Sequence, residues 1–332
     1  MMSGFQSFKK TSLICFLLFL QLNVQAKAIK PNCFKGLSLV EDCDLCGCST
    51  GGGSFGFGTL SNSNFIGLRY INQSFEVRDG IFEDSPINKE TFDTVQLWAQ
   101  IPNYKNFFVS ANIPYQNLNR NSIDGTENLK GIGDASIISW YKLMIMKKSK
   151  QTTEFYNNQK EASGHSLQFG LGLKLPTGEF EQELVGSVNP GFQVGTGSLD
   201  GIFSLGYNYG GNKFGINTLF TYYLKGENKN QYQFGDQLSY ATNFYFPLVK
   251  KEKMSLMPFL GISGDIYKPI KQYGEVLRGT DGKILNSSFG SELAFKKIIF
   301  GANYTIPLSQ NLFENDVKAK HLLLLYLNFA FK

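Results

Sequence analysis

Apolar and polar residues alternate with a period of two along most of the chain. In Val95-Gln96-Leu97-Trp98-Ala99-Gln100-Ile101, Val, Leu, Ala and Ile fall on one face and Gln, Trp and Gln on the other. The same holds for Leu167, Phe169, Leu171, Leu173 and Leu175 against Gln168, Gly170, Gly172 and Lys174. It holds again for Ile298, Phe300, Ala302, Tyr304 and Ile306 against Ile299, Gly301, Asn303 and Thr305. Successive side chains of a strand point to opposite faces, so this period predicts strands with one greasy and one polar face. About twelve such segments follow one another, near 64–78, 91–102, 105–117, 133–147, 165–176, 199–210, 213–226, 234–248, 254–268, 286–296, 297–308 and 319–331. The turns at Asn103-Tyr104, Gly210-Gly211-Asn212 and Lys296-Lys297 are tight. The connections 79–90, 118–132, 177–198, 227–233, 269–285 and 309–318 are longer and rich in Gly, Asn, Asp and Ser. Short turns at one end and long loops at the other are the pattern of outer-membrane β-barrels. The polar stretch 148–164 breaks the rhythm and reads as an inserted loop or an extra hairpin.

A soluble sandwich would alternate in the same way. Three features favour a membrane barrel. The segments run to about ten residues or more, enough to cross a bilayer at a tilt. Tyr70, Tyr104, Tyr115, Tyr141, Tyr222, Tyr245 and Tyr267 fall near strand ends, where interfacial girdles sit. The chain also finishes on a strand, His321 to Phe331, which would close the sheet without a free edge. The expected fold is all-β, a transmembrane antiparallel up-and-down β-barrel over residues 64–332.

Composition narrows the picture further. Hydrophobic residues make up 42% of 332, aromatic residues 14% and charged residues 18%, and the mean hydropathy is −0.16. Thirty Phe and 16 Tyr exclude a disordered chain. The absence of repeated apolar runs of about 20 residues excludes a helical membrane bundle. Residues 1–26 read as a secretory signal: Lys9 and Lys10 form its basic end, Thr11 to Leu22 its apolar stretch, and Val24-Gln25-Ala26 its cleavage site. Neither Cys15 nor Cys33 has the apolar run that lipid attachment requires. The net charge of +5 drops to +3 without the two signal lysines, too little to imply a nucleic-acid partner. The expected location is the outer membrane of a Gram-negative bacterium.

Three segments carry a family resemblance. Gly131-Ile132-Gly133-Asp134-Ala135-Ser136, then Leu171-Gly172-Leu173-Lys174-Leu175-Pro176-Thr177-Gly178, then Pro190-Gly191-Phe192-Gln193-Val194-Gly195-Thr196-Gly197-Ser198-Leu199-Asp200 resemble, in this order, the outer-membrane transporters named after the phenol-degradation meta-cleavage pathway. The match covers mainly residues 105–225. The resemblance implies a barrel that passes small, often hydrophobic molecules, with outer-membrane lipid, a small solute and the barrel assembly machinery as partners. Many outer-membrane proteins end on an aromatic residue that this machinery reads. Here the last residues are Phe331-Lys332, a departure from that signal.

Residues 27–63 form a Cys- and Gly-rich extension. Cys33, Cys43, Cys46 and Cys48 all precede the first strand. The spacing Cys43-Asp44-Leu45-Cys46-Gly47-Cys48 would let three thiolates converge on copper or zinc. Disulfides are the competing reading in an oxidising exported compartment, with Cys33 tied to one cysteine of the 43–48 cluster. The run Gly51-Gly52-Gly53-Ser54-Phe55-Gly56-Phe57-Gly58 reads as a linker or as part of a plug in the lumen; no helix start follows it, as a phosphate cradle would need.

An enzyme is not expected. His165 and Ser166 are adjacent, so they point to opposite faces, and His321 is followed only by leucines. Both histidines read as solvated residues at strand entrances. If the greasy phase meets lipid, Gln96, Trp98, Gln100, Asn112, Lys142, Lys174, Asn217, Asn243, Glu292 and Asn303 line the lumen. Asp134, Asp200 and Asp236 read as turn or rim residues that accept from local backbone N–H groups. The leading function is passive or facilitated passage of a small solute through the barrel, which the family resemblance implies is often hydrophobic. The alternative is a barrel-anchored copper- or zinc-binding protein that uses the cysteine cluster, with no other cofactor expected.

Overall fold

The computed structural model describes residues 64–331 except 79–83, 105, 124, 148–153, 156–158, 161–163, 185–186, 212 and 252–253. The expected signal 1–26 and the extension 27–63, with Cys33, Cys43, Cys46, Cys48 and the glycine run, lie outside the described residues.

Twelve long strands form one closed antiparallel barrel: β1 (Asn64–Arg78), β2 (Ile87–Tyr104), β3 (Phe107–Ser122), β4 (Ala135–Lys147), β5 (Gly164–Leu175), β6 (Asp200–Gly210), β7 (Gly215–Leu224), β8 (Gln237–Tyr245), β9 (Met254–Tyr267), β10 (Gly282–Phe295), β11 (Ile298–Leu312) and β12 (Val317–Phe331). Each pairs with its neighbours in chain order. β12 returns to β1 in the register Asn64↔Phe331, Leu68↔Leu327 and Val77↔Val317, so every strand has a partner on both sides. Closure matters because the hydrocarbon core offers no water to an unpaired N–H or C=O.

The alternation read from the sequence is the alternation of exposure. Leu171 is 64% exposed and Leu68 54%, while Gln96, Gln168 and Glu292 are 0% exposed. This inverts the rule for soluble proteins, as a lipid-facing exterior requires. The apolar outer face is a band of limited height. On β1 it includes Ile66 and Leu68 and gives way to Asn72; on β2 it includes Val95, Leu97 and Ile101 and gives way to Asp93. At that border Asp93 Oδ1 accepts from the Tyr70 hydroxyl at 2.6 Å and from Asn72 Nδ2 at 2.8 Å. Beyond it β1, β2, β3 and β12 continue with polar outer faces, so the barrel wall stands above the band.

Three expectations change, and the stretch 148–164 takes one of its two expected forms. The connection 118–132 is not an open loop. β3 runs through it to Ser122 and turns into an arm, Gly125–Ile132, paired with it. Its outer side chains are Thr126, Asn128 and Lys130, ending on Ile132, and Asn128 Nδ2 donates to Asn117 and Asn119 of β3, so it lacks the continuous apolar face by which a lipid-embedded strand is recognised. In 148–164, Glu154–Phe155 pairs with Gln159–Lys160 as a small hairpin. Four of the expected girdle tyrosines, Tyr70, Tyr115, Tyr141 and Tyr222, share the outward phase of their strands, but Tyr245 and Tyr267 have the opposite parity and turn inward. The histidines are partnered rather than simply solvated. His165 Nδ1 is 2.6 Å from the Tyr207 hydroxyl, and His321, inside β12, reaches Asn72 Oδ1 at 3.3 Å and stacks on Tyr304.

Charge scanning tests the position of the band. Leu171→Lys and Phe300→Lys are expected to cost about 2–4 kcal/mol near the bilayer midplane, whereas Asn121→Lys, on the wall above it, costs at most about 1 kcal/mol. Urea unfolding in lipid vesicles reads the difference. Equal losses at all three sites would mean the band is misplaced.

Candidate functional site

The inner phase is not polar throughout. Above the band it becomes apolar: Phe75 and Val77 on β1, Phe92 on β2, Leu118 on β3 and Ile284 on β10 are buried. They pack around residues from two loops that fold into the mouth, Phe192 and Val194 between β5 and β6, and Tyr232 and Phe234 between β7 and β8. Phe192 is fully buried, its ring 5.9 Å from Phe92 and 4.2 Å from the Arg120 guanidinium. Arg120 is in turn held by Glu90 at 2.7 Å and Glu127 at 3.5 Å. The long-loop end of the lumen is therefore filled with a hydrophobic core.

A buried ionic cluster fastens the first of these loops to the wall. Lys174, near the end of β5, donates through Nζ to Asp134 Oδ2 at 2.7 Å, to the Thr196 hydroxyl, and to the Ser198 carbonyl at 3.3 Å. Asp200 Oδ2 lies 3.2 Å from Lys174 Nζ and 3.4 Å from Lys225 Nζ. Asp134 also accepts from the backbone N–H groups of Gly178 and Thr196, each at 3.0 Å, and Asp200 from the Ser198 hydroxyl at 2.8 Å and the Gly226 N–H at 3.0 Å. Two carboxylates face two ammonium groups, which balances the buried charge, and the added hydrogen bonds offset its desolvation. Close approach of the two loop segments requires glycine: a Cβ on Gly195 would stand 2.5 Å from the Gly178 carbonyl carbon.

The three sequence segments that carry the family resemblance thus converge here. Asp134 comes from the first, Lys174 and Gly178 from the second, and Thr196, Ser198 and Asp200 from the third. The expectation that Asp134 and Asp200 serve local backbone donors captures only part of their role. Asp236 lies nearby at the rim and accepts from the Lys225 N–H at 3.0 Å, the Tyr222 hydroxyl at 2.8 Å and Lys268 Nζ at 3.1 Å. Partial burial alone would raise its carboxyl, but these donors outweigh burial and hold it below the ordinary range.

Of the expected wall residues, Gln96, Trp98, Lys174, Asn217 and Glu292 are buried, and Gln100, Asn112, Lys142, Asn243 and Asn303 are half-buried. All stand on the inward phase of their strands. Lys174 is committed to the ionic cluster. Glu292 accepts from the Tyr326 hydroxyl at 2.6 Å, and the Tyr326 ring lies against Gly301, where a Cβ would clash with it at 2.0 Å. Toward the short-turn end the lumen holds a cavity of about 80 Å³, with Phe65, Arg69, Trp98, Phe108, Trp140 and Gln168 in its wall. Sequence reading placed Trp98 and, on β4, Lys142 on the lumen side but missed Arg69, because β1 was not read for its inward phase, and passed over Trp140, which shares the inward phase of Lys142. Among the described residues no three His, Cys, Asp or Glu side chains gather as a metal site needs.

A closed antiparallel barrel of twelve strands, apolar outside and polar in its mid-belt, defines the outer-membrane β-barrel class. No family model matches the sequence, and no curated protein matches it. Among solved structures the chain is similar to an outer-membrane channel from Pseudomonas putida F1, with a TM-score of 0.57 and 13% identity over 82% of this chain and 97% of that one. It is also similar to the β domain of the Bordetella autotransporter BrkA, at 0.49 and 9% identity over 81% and 100%, and to the translocator domain of the autotransporter NalP from Neisseria meningitidis, at 0.40 and 10% over 82% and 91%. At these identities the first likeness is one of fold.

The ionic cluster makes a paired prediction. Asp134→Leu leaves an unmatched ammonium in a buried site and is expected to cost about 3–5 kcal/mol. Asp134→Leu with Lys174→Met removes both charges and is expected to recover most of that loss. Urea midpoints in vesicles decide, and equal losses would show that the charges are not coupled.

Proposed function

We propose that the protein is an outer-membrane channel for a small solute, closed at its outer mouth by the loop between β5 and β6. The observation that carries this reading is the layered lumen. A polar mid-belt and a cavity lie beneath a lid of Phe192 and Val194, and the lid is held by the ionic cluster, by packing in the apolar mouth and by bonds to the loop between β7 and β8 rather than by continuous strand pairing. A barrel that served only as an anchor would have no need of a separately fastened lid. Gln96, Gln100, Asn112, Asn217, Asn243, Glu292 and Asn303 form the wetted wall in this reading. Lys142, which has no ion-pair partner among the described residues, supplies a free positive charge to it, whereas the charge of Lys174 is matched.

The resemblance to the phenol-pathway transporters supports a small, hydrophobic cargo, and the aromatic side chains at the cavity are compatible with one. The lipid bilayer and the assembly machinery are then the protein's partners in the outer membrane. The copper or zinc reading rests on Cys43, Cys46 and Cys48 alone, and metal content of the purified full chain tests it separately.

Planar-bilayer recording tests the lid. The wild-type protein is expected to show low conductance with brief openings, and Phe192→Ala with Val194→Ala to lengthen the open state and raise the mean current several-fold. Identical currents from the two proteins would contradict a lid at this place. No current from either would contradict the channel.

A further inference from the structure

The cavity holds polar groups without partners among the described residues. Gln168, on the inner face of β5, is 0% exposed, yet neither its amide nitrogen nor its amide oxygen is hydrogen bonded. The indole N–H of Trp98, in the same cavity wall, also lacks an acceptor. Buried polar groups are hydrogen bonded as a rule, and exceptions of this kind mark places that await a ligand or water.

Beside them stands a buried cation. The Arg69 guanidinium lies 4.6 Å from the centroid of the Trp98 ring, and its Nε donates to Gln96 Oε1 at 2.8 Å, with Nη2 on the same oxygen. Among the described residues its hydrogen-bond acceptor is therefore a neutral amide, and it has no carboxylate in ion-pair contact. The carboxylates deeper in the lumen are engaged elsewhere: Glu292 accepts from Tyr326, and Asp265 from Ser239 at 2.5 Å and Gln237 at 3.0 Å. A guanidinium presents five donor hydrogens in a planar fork that suits a carboxylate, so most of this fork remains to be used.

The remaining wall is aromatic. Phe65, Trp98, Phe108 and Trp140 border the cavity, with the Phe108 and Trp140 rings stacked 5.8 Å apart at an interplanar angle of 7°. The cavity, of about 80 Å³, opens to the lumen, and its flat aromatic walls suit one ring whose edge projects into that lumen.

The geometry points to a binding subsite for a small planar monocarboxylate, a single ring bearing one anionic group. Arg69 receives the carboxylate, the indoles of Trp98 and Trp140 receive the ring, and Gln168 with the Trp98 N–H completes the hydrogen bonding. This deepens the channel reading, on which it rests: the subsite lies inside the lumen, below the lid, and selects what passes.

The test uses the only two tryptophans of the chain, Trp98 and Trp140, both of which border the cavity. Intrinsic fluorescence of the full-length protein in detergent is titrated with benzoate, benzyl alcohol and acetate. Benzoate is expected to give a saturable change, with benzyl alcohol and acetate at least tenfold weaker. Arg69→Gln should remove the advantage of benzoate over benzyl alcohol. Gln168→Leu should weaken benzoate about three- to tenfold. Heat-dependent gel mobility verifies that each variant is folded. Equal response to benzoate and benzyl alcohol in the wild type, or a preference that survives Arg69→Gln in a folded variant, overturns the subsite. Bilayer current separates the two claims: current without benzoate binding refutes the subsite and keeps the channel, and benzoate binding without current does the reverse.

Discussion

Every feature of this molecule follows from the need to satisfy backbone hydrogen bonds where no water is present. A strand in hydrocarbon must have a neighbour on each side, and the pairing of β12 with β1 provides the last one. Once the sheet is closed, its two faces are fixed as lipid and lumen. A period of two then assigns each residue to one of them. The strands need be only about ten residues long to cross, and the additional length of β1, β2, β3 and β12 raises a wall above the bilayer, where polar outer faces such as Asn117, Asn119 and Asn121 are hydrated.

That wall creates a second interior. Below it, the inner face carries Gln96, Asn217 and Glu292; within it, Phe75, Phe92 and Leu118 do the same geometric job with apolar side chains. Apolar residues facing a water-filled mouth would be unfavourable, and loops that bring Phe192 and Phe234 inward cover them. The ionic cluster of Asp134, Lys174, Asp200 and Lys225 gives the first loop a defined seat. Buried charges contribute little net stability when paired, but they penalise every arrangement that separates them. A loop fastened in this way has one defined seat.

The barrel was largely legible in the sequence because alternation is a local property that survives wherever one face meets lipid. All twelve strands appear close to their expected places, and the phases of β2, β5 and β11 agree with the exposure of Leu97, Leu171 and Phe300. The reading failed where its signal is absent. The arm Gly125–Ile132 has no greasy face and passed for a loop. Tyr245 and Tyr267 were placed by distance from a strand end, which ignores parity. The ionic cluster joins residues as far as 62 positions apart, and no local pattern links them, although the glycine-rich setting of Asp134, Gly178 and Thr196 was a signal that three loops meet closely. Arg69 was hidden for a simpler reason: a single arginine in an alternating strand looks like any polar inward residue until its neighbours are known.

The central claim is that the loop between β5 and β6 closes a pore that otherwise conducts. Gly131 and Val194 are placed to test it, since a Cβ on Gly131 would lie 3.4 Å from Val194 Cγ2. With Cys33, Cys43, Cys46 and Cys48 replaced by serine, Gly131→Cys and Val194→Cys can lock the loop to the wall by a disulfide. Bilayer current measured before and after addition of a reductant reads the result directly. The account predicts a current suppressed while the disulfide is intact and restored to the level of the serine background on reduction. The same current in both redox states, with the disulfide shown to form, would contradict it.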